Sequence, residues 1–295
     1  MNGVAKQIRW SHFLDRRSGR GIIVPIDHGL SIGPVEGLAS VEQVSRWIGH
    51  PGITGIIAHK GMVDRLGSSE LLKGIGVMVH LNGMMSLASS PDRKERLTSV
   101  EAALRLGADA VSLQVNFDGT NDAHNLTMLG TVVDEAQRYG LPVLTMLYDK
   151  VPSDKLEHRL ARQRHLMRAC VELGTDALKL AAPDDLSLMP TLLEGIVEHT
   201  AVFFAGGAVR SEEEIFFLAE EVVRCGATGL CVGRNIFQRE SARATLTRLQ
   251  EIILGSRGLI DGEPRPQVSW EHPNHPNQPN RAHVQWSPVV EEVVK

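Results

Sequence analysis

Residues 172–182, ELGTDALKLAA, place the end of an amphipathic helix, a glycine and a short apolar strand in direct succession. Similar junctions, GADA from residue 107 and GATG from residue 226, precede two further apolar runs. Glycine at such a junction supplies the left-handed backbone conformation that ends a helix. Nearly continuous apolar runs are typical of parallel strands that are buried on both faces. The repeated junction therefore predicts helices that alternate with parallel strands.

The same alternation recurs along residues 20–255, and we predict an α/β chain with a (β/α)8 TIM barrel rather than a doubly wound sheet. The predicted strands are 21–26, 54–58, 76–81, 110–115, 142–147, 176–180, 201–205 and 228–232. Helical spacing of apolar residues predicts helices over 40–49, 93–106, 121–139, 155–173, 186–199, 211–225 and 236–254. A short helix is also expected within residues 60–75.

We expect a single barrel domain over residues 1–257, with a short N-terminal extension before the first strand. Residues 258–295 are rich in Pro, Asn and His and have no periodicity, which predicts an extended or disordered tail. Histidines of this tail at 272, 275 and 283 could bind a metal, but proline-interrupted spacing does not hold ligands in place.

Composition narrows the class of protein. The formal net charge of −4 predicts neither a nucleic-acid partner nor a membrane surface. The three cysteines lack CxxC spacing, which indicates free thiols in a reducing compartment. The N-terminus has no apolar signal-peptide core, and no apolar run reaches the roughly 18 residues that span a bilayer. We therefore expect a cytoplasmic protein.

Lys179 is the sharpest chemical feature, because it interrupts an otherwise apolar strand. The functional residues of a (β/α)8 barrel lie at the carboxyl ends of its strands, and polar groups follow seven of the eight predicted strands. Burial lowers the pKa of a lysine and gives the free amine that attacks carbonyl carbons. The alternative is a lysine that points outward or forms an ion pair with a carboxylate such as Asp27.

Further acid–base candidates lie at the ends of the first and fifth predicted strands. Asp27 and His28 follow the first strand, where a carboxylate can move protons during formation of an imine. Tyr148 follows the fifth strand and offers a hydroxyl for the same purpose, and Lys150 could bind a phosphate or carboxylate. The alternatives are a structural ion pair for Asp27, a packed rim aromatic for Tyr148 and a solvated loop lysine for Lys150.

Two glycine-containing segments predict a phosphate site. FFAGGA (203–208) and CVGRNIF (231–237) follow the last two strands, where backbone N–H groups of such barrels surround an anion. The candidate residues are Gly206, Gly207, Gly233 and Arg234, and the alternative is tight turns that need glycine for geometry alone. Zinc bound by His28, His59 and His80 has no supporting H-x-H or H-x3-H spacing, so we predict neither a metal nor a cofactor.

With these residues in place, residues 18–255 resemble the archaeal-type class I fructose-bisphosphate aldolases and the related 2-amino-3,7-dideoxy-D-threo-hept-6-ulosonate synthases. The motifs that carry the resemblance are VPIDHGLSIGPVEGL (24–38), HKGMV (59–63), SVEAALRLGADAVSLQVN (99–116), ELGTDALK (172–179), AGG (205–207) and VGRNIFQ (232–238). The resemblance implies that Lys179 is the Schiff-base lysine and Tyr148 the acid–base tyrosine. It also implies a homo-oligomer, a decamer built from pentameric rings.

Several residues depart from the usual pattern of the resembled family. Tyr148-Asp149-Lys150 replaces Tyr-Pro-Arg, Leu180-Ala181-Ala182 replaces a Lys-Thr-x-Tyr continuation, and Ala208-Val209 replaces Pro-Lys. Gln114 stands where a histidine is common. A lysine provides a point charge but not the bidentate fork of an arginine, so these changes indicate a different acceptor.

The sequence thus predicts a class I aldolase or transaldolase-type enzyme, resembling fructose-bisphosphate aldolase. Its expected partner is a small phosphorylated carbonyl substrate, a phosphorylated ketose or dihydroxyacetone phosphate. A biosynthetic enzyme that forms the carbon–carbon bond is one form of this prediction. The alternatives are a non-catalytic barrel that binds sugar phosphates and a metal-dependent lyase.

Overall fold

The computed structural model describes residues 3–255, in which eight parallel strands pair in chain order and close into a barrel. The strands are β1 (Gly21–Pro25), β2 (Gly55–Ala58), β3 (Gly76–His80), β4 (Ala110–Phe117), β5 (Val143–Asp149), β6 (Ala177–Ala181), β7 (Ala201–Ala205) and β8 (Gly229–Cys231). The predicted (β/α)8 barrel is confirmed, and each predicted strand lies within two residues of the observed bounds. The predicted tail, residues 258–295, lies outside the described residues.

Helices cover the outside of the barrel and begin or end close to most predicted positions. They are α1 (Val4–Trp10), α2 (His28–Ile32), α3 (Val41–Ile48), α4 (Lys60–Ser68), α5 (Val100–Arg105), α6 (Asp122–Arg138), α7 (Leu156–Glu172), α8 (Met189–Leu193), α9 (Glu212–Arg224), α10 (Arg234–Phe237) and α11 (Ala242–Ile253). Within the described part of the chain, no helix is long and apolar enough to cross a membrane.

Three predicted helices are wrong in extent. The helix predicted over 93–106 begins only at Val100, because the Ser99 hydroxyl accepts a hydrogen bond from the Ala102 amide and caps it there. The helix predicted over 186–199 is limited to a 3-10 turn followed by α8, and Gly195 takes a positive φ of 75°. The helix predicted over 236–254 is divided into α10 and α11.

The glycine junctions between helix and strand, such as GTDA from residue 174 and GADA from residue 107, also bind the neighbouring strand. Gly174 takes the expected left-handed conformation, with φ of 91°. The Asp176 side chain that follows it accepts a hydrogen bond from the Val143 amide at 3.0 Å. Asp109 does the same for the Val77 amide at 2.9 Å. Each junction thereby satisfies a backbone donor at the bottom of the neighbouring strand, where the ladder leaves it unpaired.

The N-terminal segment closes the bottom of the barrel. Phe13 is fully buried within the barrel, and Trp10 packs beside it with ring centroids 5.4 Å apart. A Cβ atom on Gly55 or Gly76 would lie within 3 Å of the Phe13 ring, and one on Gly21 would lie 2.3 Å from the Phe13 carbonyl, so glycine at the start of three strands makes room for this residue. The expected N-terminal extension is thus an internal part of the barrel core.

An ion pair and a hydrogen bond fasten the same segment to the strand junctions. The Lys6 ammonium lies 2.7 Å from the Asp176 carboxylate, and both side chains are largely buried. His12 Nδ1 lies 2.7 Å from Asp109 Oδ1. Because Asp176 and Asp109 also accept strand amides, the N-terminal segment and the barrel floor share the same carboxylates.

We expect Phe13→Ala to lower the free energy of unfolding by about 3–5 kcal/mol, because it leaves a cavity where three glycines already remove side-chain volume. Chemical denaturation measures the change. Ile8→Ala, on the exposed side of α1, is the matched control and should change the free energy by less than about 0.5 kcal/mol. Equal stability of Phe13→Ala and the parent would contradict the assignment of Phe13 to the barrel core.

Candidate active site

Lys179 points into the barrel just below its mouth. The residue is 7% exposed, and its neighbours in the strand register are Met146 on β5 and Phe203 on β7. Its Nζ lies 3.7 Å from the Met146 sulfur, and Met146, Phe203 and Cys231 belong to the apolar cluster that fills the barrel. The alternative of an outward-pointing lysine is therefore wrong.

Asp27 directly follows β1 and lies among three histidines. Its carboxylate oxygens are 3.8 Å from His28 Nδ1 and 3.9 Å from His80 Nε2. Burial acts to raise the pKa of Asp27, but His80, Lys179, His28 and His59 act to lower it, and the net shift is downward. Asp27 is thus a carboxylate at neutral pH, positioned to compensate the charge of Lys179.

His80 is a buried neutral imidazole beside this carboxylate. It is 2% exposed, and burial lowers its pKa to about 3. Its Nδ1 lies 2.8 Å from the Ser112 hydroxyl, and its ring meets that of His59 edge-on with centroids 5.2 Å apart. The sequence singled out His80 only as a candidate zinc ligand, whereas its hydrogen bond to Ser112 holds the ring with Nε2 3.9 Å from Asp27 Oδ2.

The protonation of Lys179 differs from the sequence prediction. Burial lowers the pKa of its ammonium, but Cys231, Tyr148 and Asp27 raise it by more when they are ionised, so the net direction is upward. Burial also raises the pKa of the Cys231 thiol to about 11, which leaves Cys231 neutral at neutral pH. The predicted downward shift is wrong because it considered burial alone. With Cys231 neutral, the Asp27 carboxylate is the charge that favours the Lys179 ammonium, which must lose a proton before it can act as a nucleophile.

Tyr148 and Lys150 occupy different depths at the end of β5. Tyr148 is half-buried and packs against the apolar cluster that contains Met146, two residues before it on the same face of β5. Lys150 is exposed, and its Nζ lies 5.9 Å from the Tyr148 ring centroid and 3.3 Å from Asp92 Oδ1. Tyr148 therefore lies with the buried group, whereas Lys150 lies at the rim in an ion pair.

The two glycine loops after β7 and β8 are joined by Asn235, which the sequence analysis quoted within a motif but did not single out. This side chain is fully buried and donates hydrogen bonds to the carbonyls of Gly206 and Ala208, at 3.2 and 2.8 Å. Its Oδ1 accepts a hydrogen bond from the Arg210 amide at 2.8 Å. One amide side chain thus sets the relative position of the two loops.

Gly233 lies where the β8 loop crosses the end of β1. A Cβ atom there would be 2.8 Å from the Pro25 carbonyl and 3.1 Å from His28 Cε1, so only glycine fits without displacement. Gly207 takes a positive φ of 71°. In the described region, the backbone N–H groups of Gly207 and Gly233 have no protein acceptor, and half-buried Arg234 follows Gly233. The predicted phosphate residues therefore converge on a surface with free donors and a positive charge.

The sequence analysis missed Lys94, the second buried lysine on the mouth side of the barrel. It is 7% exposed, and burial lowers its pKa, with Asp92 and Asp27 acting in the opposite direction. The sequence analysis assigned residue 94 to a helix, where a charged side chain needs no explanation.

Among residues 3–255, no group of three or more His, Cys, Asp or Glu side chains is arranged to hold a metal ion.

The closed parallel barrel and the polar residues gathered at its mouth define a (β/α)8-barrel enzyme. A model of the DeoC/LacD family aldolases matches residues 21–239. The chain is 32% identical to 2-amino-3,7-dideoxy-D-threo-hept-6-ulosonate synthase 1 of Archaeoglobus fulgidus over 255 residues, covering 86% of this chain and 92% of that protein. The chain belongs to the DeoC/LacD aldolase family, and it is an aldolase-class enzyme.

Two further similarities agree with this assignment. The 2-amino-4,5-dihydroxy-6-oxo-7-(phosphonooxy)heptanoate synthase of Streptomyces griseus is 28% identical over 257 residues, which are 86% of this chain and 93% of that protein. An archaeal fructose 1,6-bisphosphate aldolase has the same fold, with a TM-score of 0.75 at 24% identity over 85% of this chain and all of that one. The predicted relationship to these aldolases and heptulosonate synthases is confirmed.

We expect Asn235→Ala to lower the free energy of unfolding by about 1–3 kcal/mol, because it leaves buried backbone groups of the β7 loop without partners. Thermal and chemical denaturation measure the change. Gln238→Ala is a matched control, because this amide follows the same short helix and makes no side-chain hydrogen bond in the described region. Equal effects of the two substitutions would contradict the assignment of Asn235 as the residue that joins the loops.

Proposed function

We propose that the chain is a class I aldolase in which Lys179 forms a Schiff base with a phosphorylated ketose or with dihydroxyacetone phosphate. The observation that carries the proposal is the inward-pointing, buried amine at the barrel mouth, with Asp27 acting on it electrostatically and Tyr148 beside it. Transfer of the transaldolase type and biosynthetic condensation use the same intermediate and belong to the same proposal.

In the proposed cycle, Asp27 accepts a proton from the Lys179 ammonium, and the free amine adds to the ketone carbon. The carbinolamine then loses its hydroxyl group as water, with a proton from Tyr148 or from protonated Asp27. The group that gave this proton, Tyr148 or Asp27, then removes the proton of the hydroxyl on the departing carbon. The adjacent carbon–carbon bond breaks, its electrons pass to the iminium, and an aldehyde leaves while an enamine stays on Lys179. In the condensing direction, the enamine carbon attacks an acceptor aldehyde, and hydrolysis of the imine frees Lys179.

The electrostatics of the site set the starting state of this cycle. Asp27 is a carboxylate because its pKa is lowered, and Lys179 is an ammonium because its pKa is raised. Both shifts oppose the proton transfer that prepares the nucleophile, so the free amine is a minor species that the ketone captures. His28, whose pKa is lowered by burial, borders the same carboxylate and is a further proton carrier in the proposal.

The donor phosphate is placed at Gly206, Gly207, Gly233 and Arg234. The free amides of Gly207 and Gly233 and the Arg234 guanidinium give the donors and the charge that such a group needs. Lys150 contributes charge from the rim in the proposal. The names of the relatives from Archaeoglobus fulgidus and Streptomyces griseus describe synthases, the second of a phosphonooxy product, which supports a condensing reaction on a phosphorylated donor.

The oligomeric state and the cellular location stay predictions. The resemblance predicts a homo-oligomer, either a pentamer or a decamer. The exposed apolar side chains of Ile32, Met85 and Leu87 are a surface that subunit contacts could bury. The expected cytoplasmic location rests on the composition alone.

Borohydride reduction in the presence of dihydroxyacetone phosphate should attach the reduced substrate covalently to Lys179, because borohydride reduces an iminium to a stable amine. Peptide mass spectrometry locates the adduct. Lys179→Met should abolish it, whereas Lys73→Met, at an exposed lysine of the barrel's outside, should retain it. The adduct should form equally in excess EDTA.

Saturable binding of dihydroxyacetone phosphate with no adduct would favour the sugar-phosphate-binding barrel instead. Loss of turnover in EDTA would favour a metal-dependent lyase. Either result would contradict the proposed function.

Tyr148→Phe should lower kcat by about 10²–10⁴-fold, because it removes a hydroxyl that moves protons in the reaction, while the borohydride adduct on Lys179 still forms. Steady-state kinetics and the adduct yield measure the two effects. The chain contains one other tyrosine, Tyr139, and Tyr139→Phe is the control that should leave kcat unchanged. Unchanged kcat in Tyr148→Phe would remove Tyr148 from the mechanism.

A further inference from the structure

Lys94 is a buried cation for which the proposed cycle has no use. It lies in the connection between β3 and α5 and exposes 7% of its surface. In residues 3–255, its Nζ donates no hydrogen bond and has no carboxylate oxygen within 4.0 Å, the distance that defines an ion pair. A largely buried lysine without a partner loses part of the hydration of its ammonium, and a ligand that carries a negative charge offsets that cost.

The backbone around Lys94 is held firmly in place. Fully buried Asn116, at the end of β4, donates hydrogen bonds from Nδ2 to the Asp92 carbonyl at 2.8 Å and to Asp92 Oδ1 at 3.3 Å. Gln114 Nε2 donates to Asn116 Oδ1 at 2.8 Å. His124 Nε2 lies 2.9 Å from the Lys94 carbonyl. These hydrogen bonds fix the backbone of the loop and therefore the position from which the Lys94 side chain extends.

The other lysines at the mouth have partners. Lys150 is paired with Asp92 at 3.3 Å, and Lys60 Nζ donates to the Leu97 carbonyl at 3.1 Å. Lys179 has Asp27 as its compensating charge. Lys94 acts on the same interior, because it lowers the pKa of His80 together with burial and lies within electrostatic reach of Asp27. Of these four lysines, Lys94 is the buried one that has neither a hydrogen-bond acceptor nor an ion-pair partner within residues 3–255.

The position of Lys94 in the barrel indicates which part of a ligand it meets. The residue follows β3, whereas the proposed phosphate residues follow β7 and β8. In a closed barrel of eight strands paired in chain order, β3 and β7 lie on opposite sides. An aldol reaction joins two fragments above the Schiff-base lysine. With the donor phosphate on the β7 and β8 side, the acceptor extends toward β3.

We propose that Lys94 binds an anionic group, a carboxylate or a phosphate, on the acceptor aldehyde, and thereby selects acceptors that carry a negative charge. This inference rests on the proposed function and names the acceptor class that the donor site leaves open. The donor's phosphate and the acceptor's anion are then held at opposite walls, and the aldehyde carbon lies between them over the enamine carbon.

The test compares acceptors that differ only in the anionic group, with dihydroxyacetone phosphate as the donor. Succinic semialdehyde against butanal tests a carboxylate, and glyceraldehyde 3-phosphate against glyceraldehyde tests a phosphate. We expect the parent protein to prefer the anionic member of at least one pair by about tenfold or more in kcat/KM. The pair with the larger preference identifies which anion the site takes.

Lys94→Met should remove this preference by raising KM for the anionic acceptor about tenfold, while kcat/KM for the neutral acceptor stays within about twofold. Lys94→Arg retains the charge and should retain a preference for the anion. Lys73→Met is the control for loss of a lysine elsewhere and should behave as the parent.

Two results would overturn the inference while the proposed function stands: a parent protein with no preference for either anionic acceptor, or equal losses with both members of a pair in Lys94→Met. In both cases the borohydride adduct of dihydroxyacetone phosphate on Lys179 still forms. Absence of that adduct in the parent overturns the proposed function and the inference together. Where Lys94→Met does not fold, a parent protein without a preference for either anionic acceptor still overturns the inference, and Lys94→Gln takes the place of Lys94→Met in the comparison.

Discussion

The charge of Lys179 inside an apolar barrel is the constraint on which the arrangement of the mouth depends. An ammonium at this depth is tolerated because Asp27, at the end of the first strand, stays ionised and acts on it. His80, one of the histidines around Asp27, is a polar neighbour that stays uncharged at neutral pH, because burial lowers its pKa to about 3. Removal of Asp27 would leave an uncompensated charge, so the pair is required for the fold as well as for the proposed chemistry.

The barrel separates stability from chemistry along its axis. At the bottom, Phe13 fills the space above three glycines, and Lys6 joins α1 to Asp176. At the top, the strands end in polar residues, several of them fully buried, and Asn235 joins the loops after β7 and β8. Because the N-terminal segment provides the packing of the lower layer, the upper layer can hold two buried lysines whose positions are unfavourable for stability alone.

The sequence predicted the features that depend on local pattern. Eight apolar runs and glycine junctions are sufficient for the barrel, and an unusual charge in β6 is sufficient to single out Lys179. The features it missed depend on tertiary contacts. Lys94 was assigned to a helix because charged residues near it have helical spacing, although the capping hydroxyl of Ser99 starts that helix later. The direction of the Lys179 pKa was wrong because strands distant in sequence bring Asp27, Tyr148 and Cys231 to it.

Two of the residues that depart from the resembled family, Asp149 and Lys150, are charged residues at the end of β5 whose charges are paired within the protein. Asp149 stands where that family usually has proline, and it is bound by Arg162 at 2.9 Å, so its charge is used within the protein. Lys150, in the place of the usual arginine, is paired with Asp92. The end of β5 therefore offers little free positive charge to a ligand. Asp92 and Lys94 lie in one fastened loop after β3, so the carboxylate that neutralises Lys150 and the cation that remains unpaired come from the same segment. In the proposed arrangement, the positive charge left for an acceptor therefore lies after β3 and not at the end of β5.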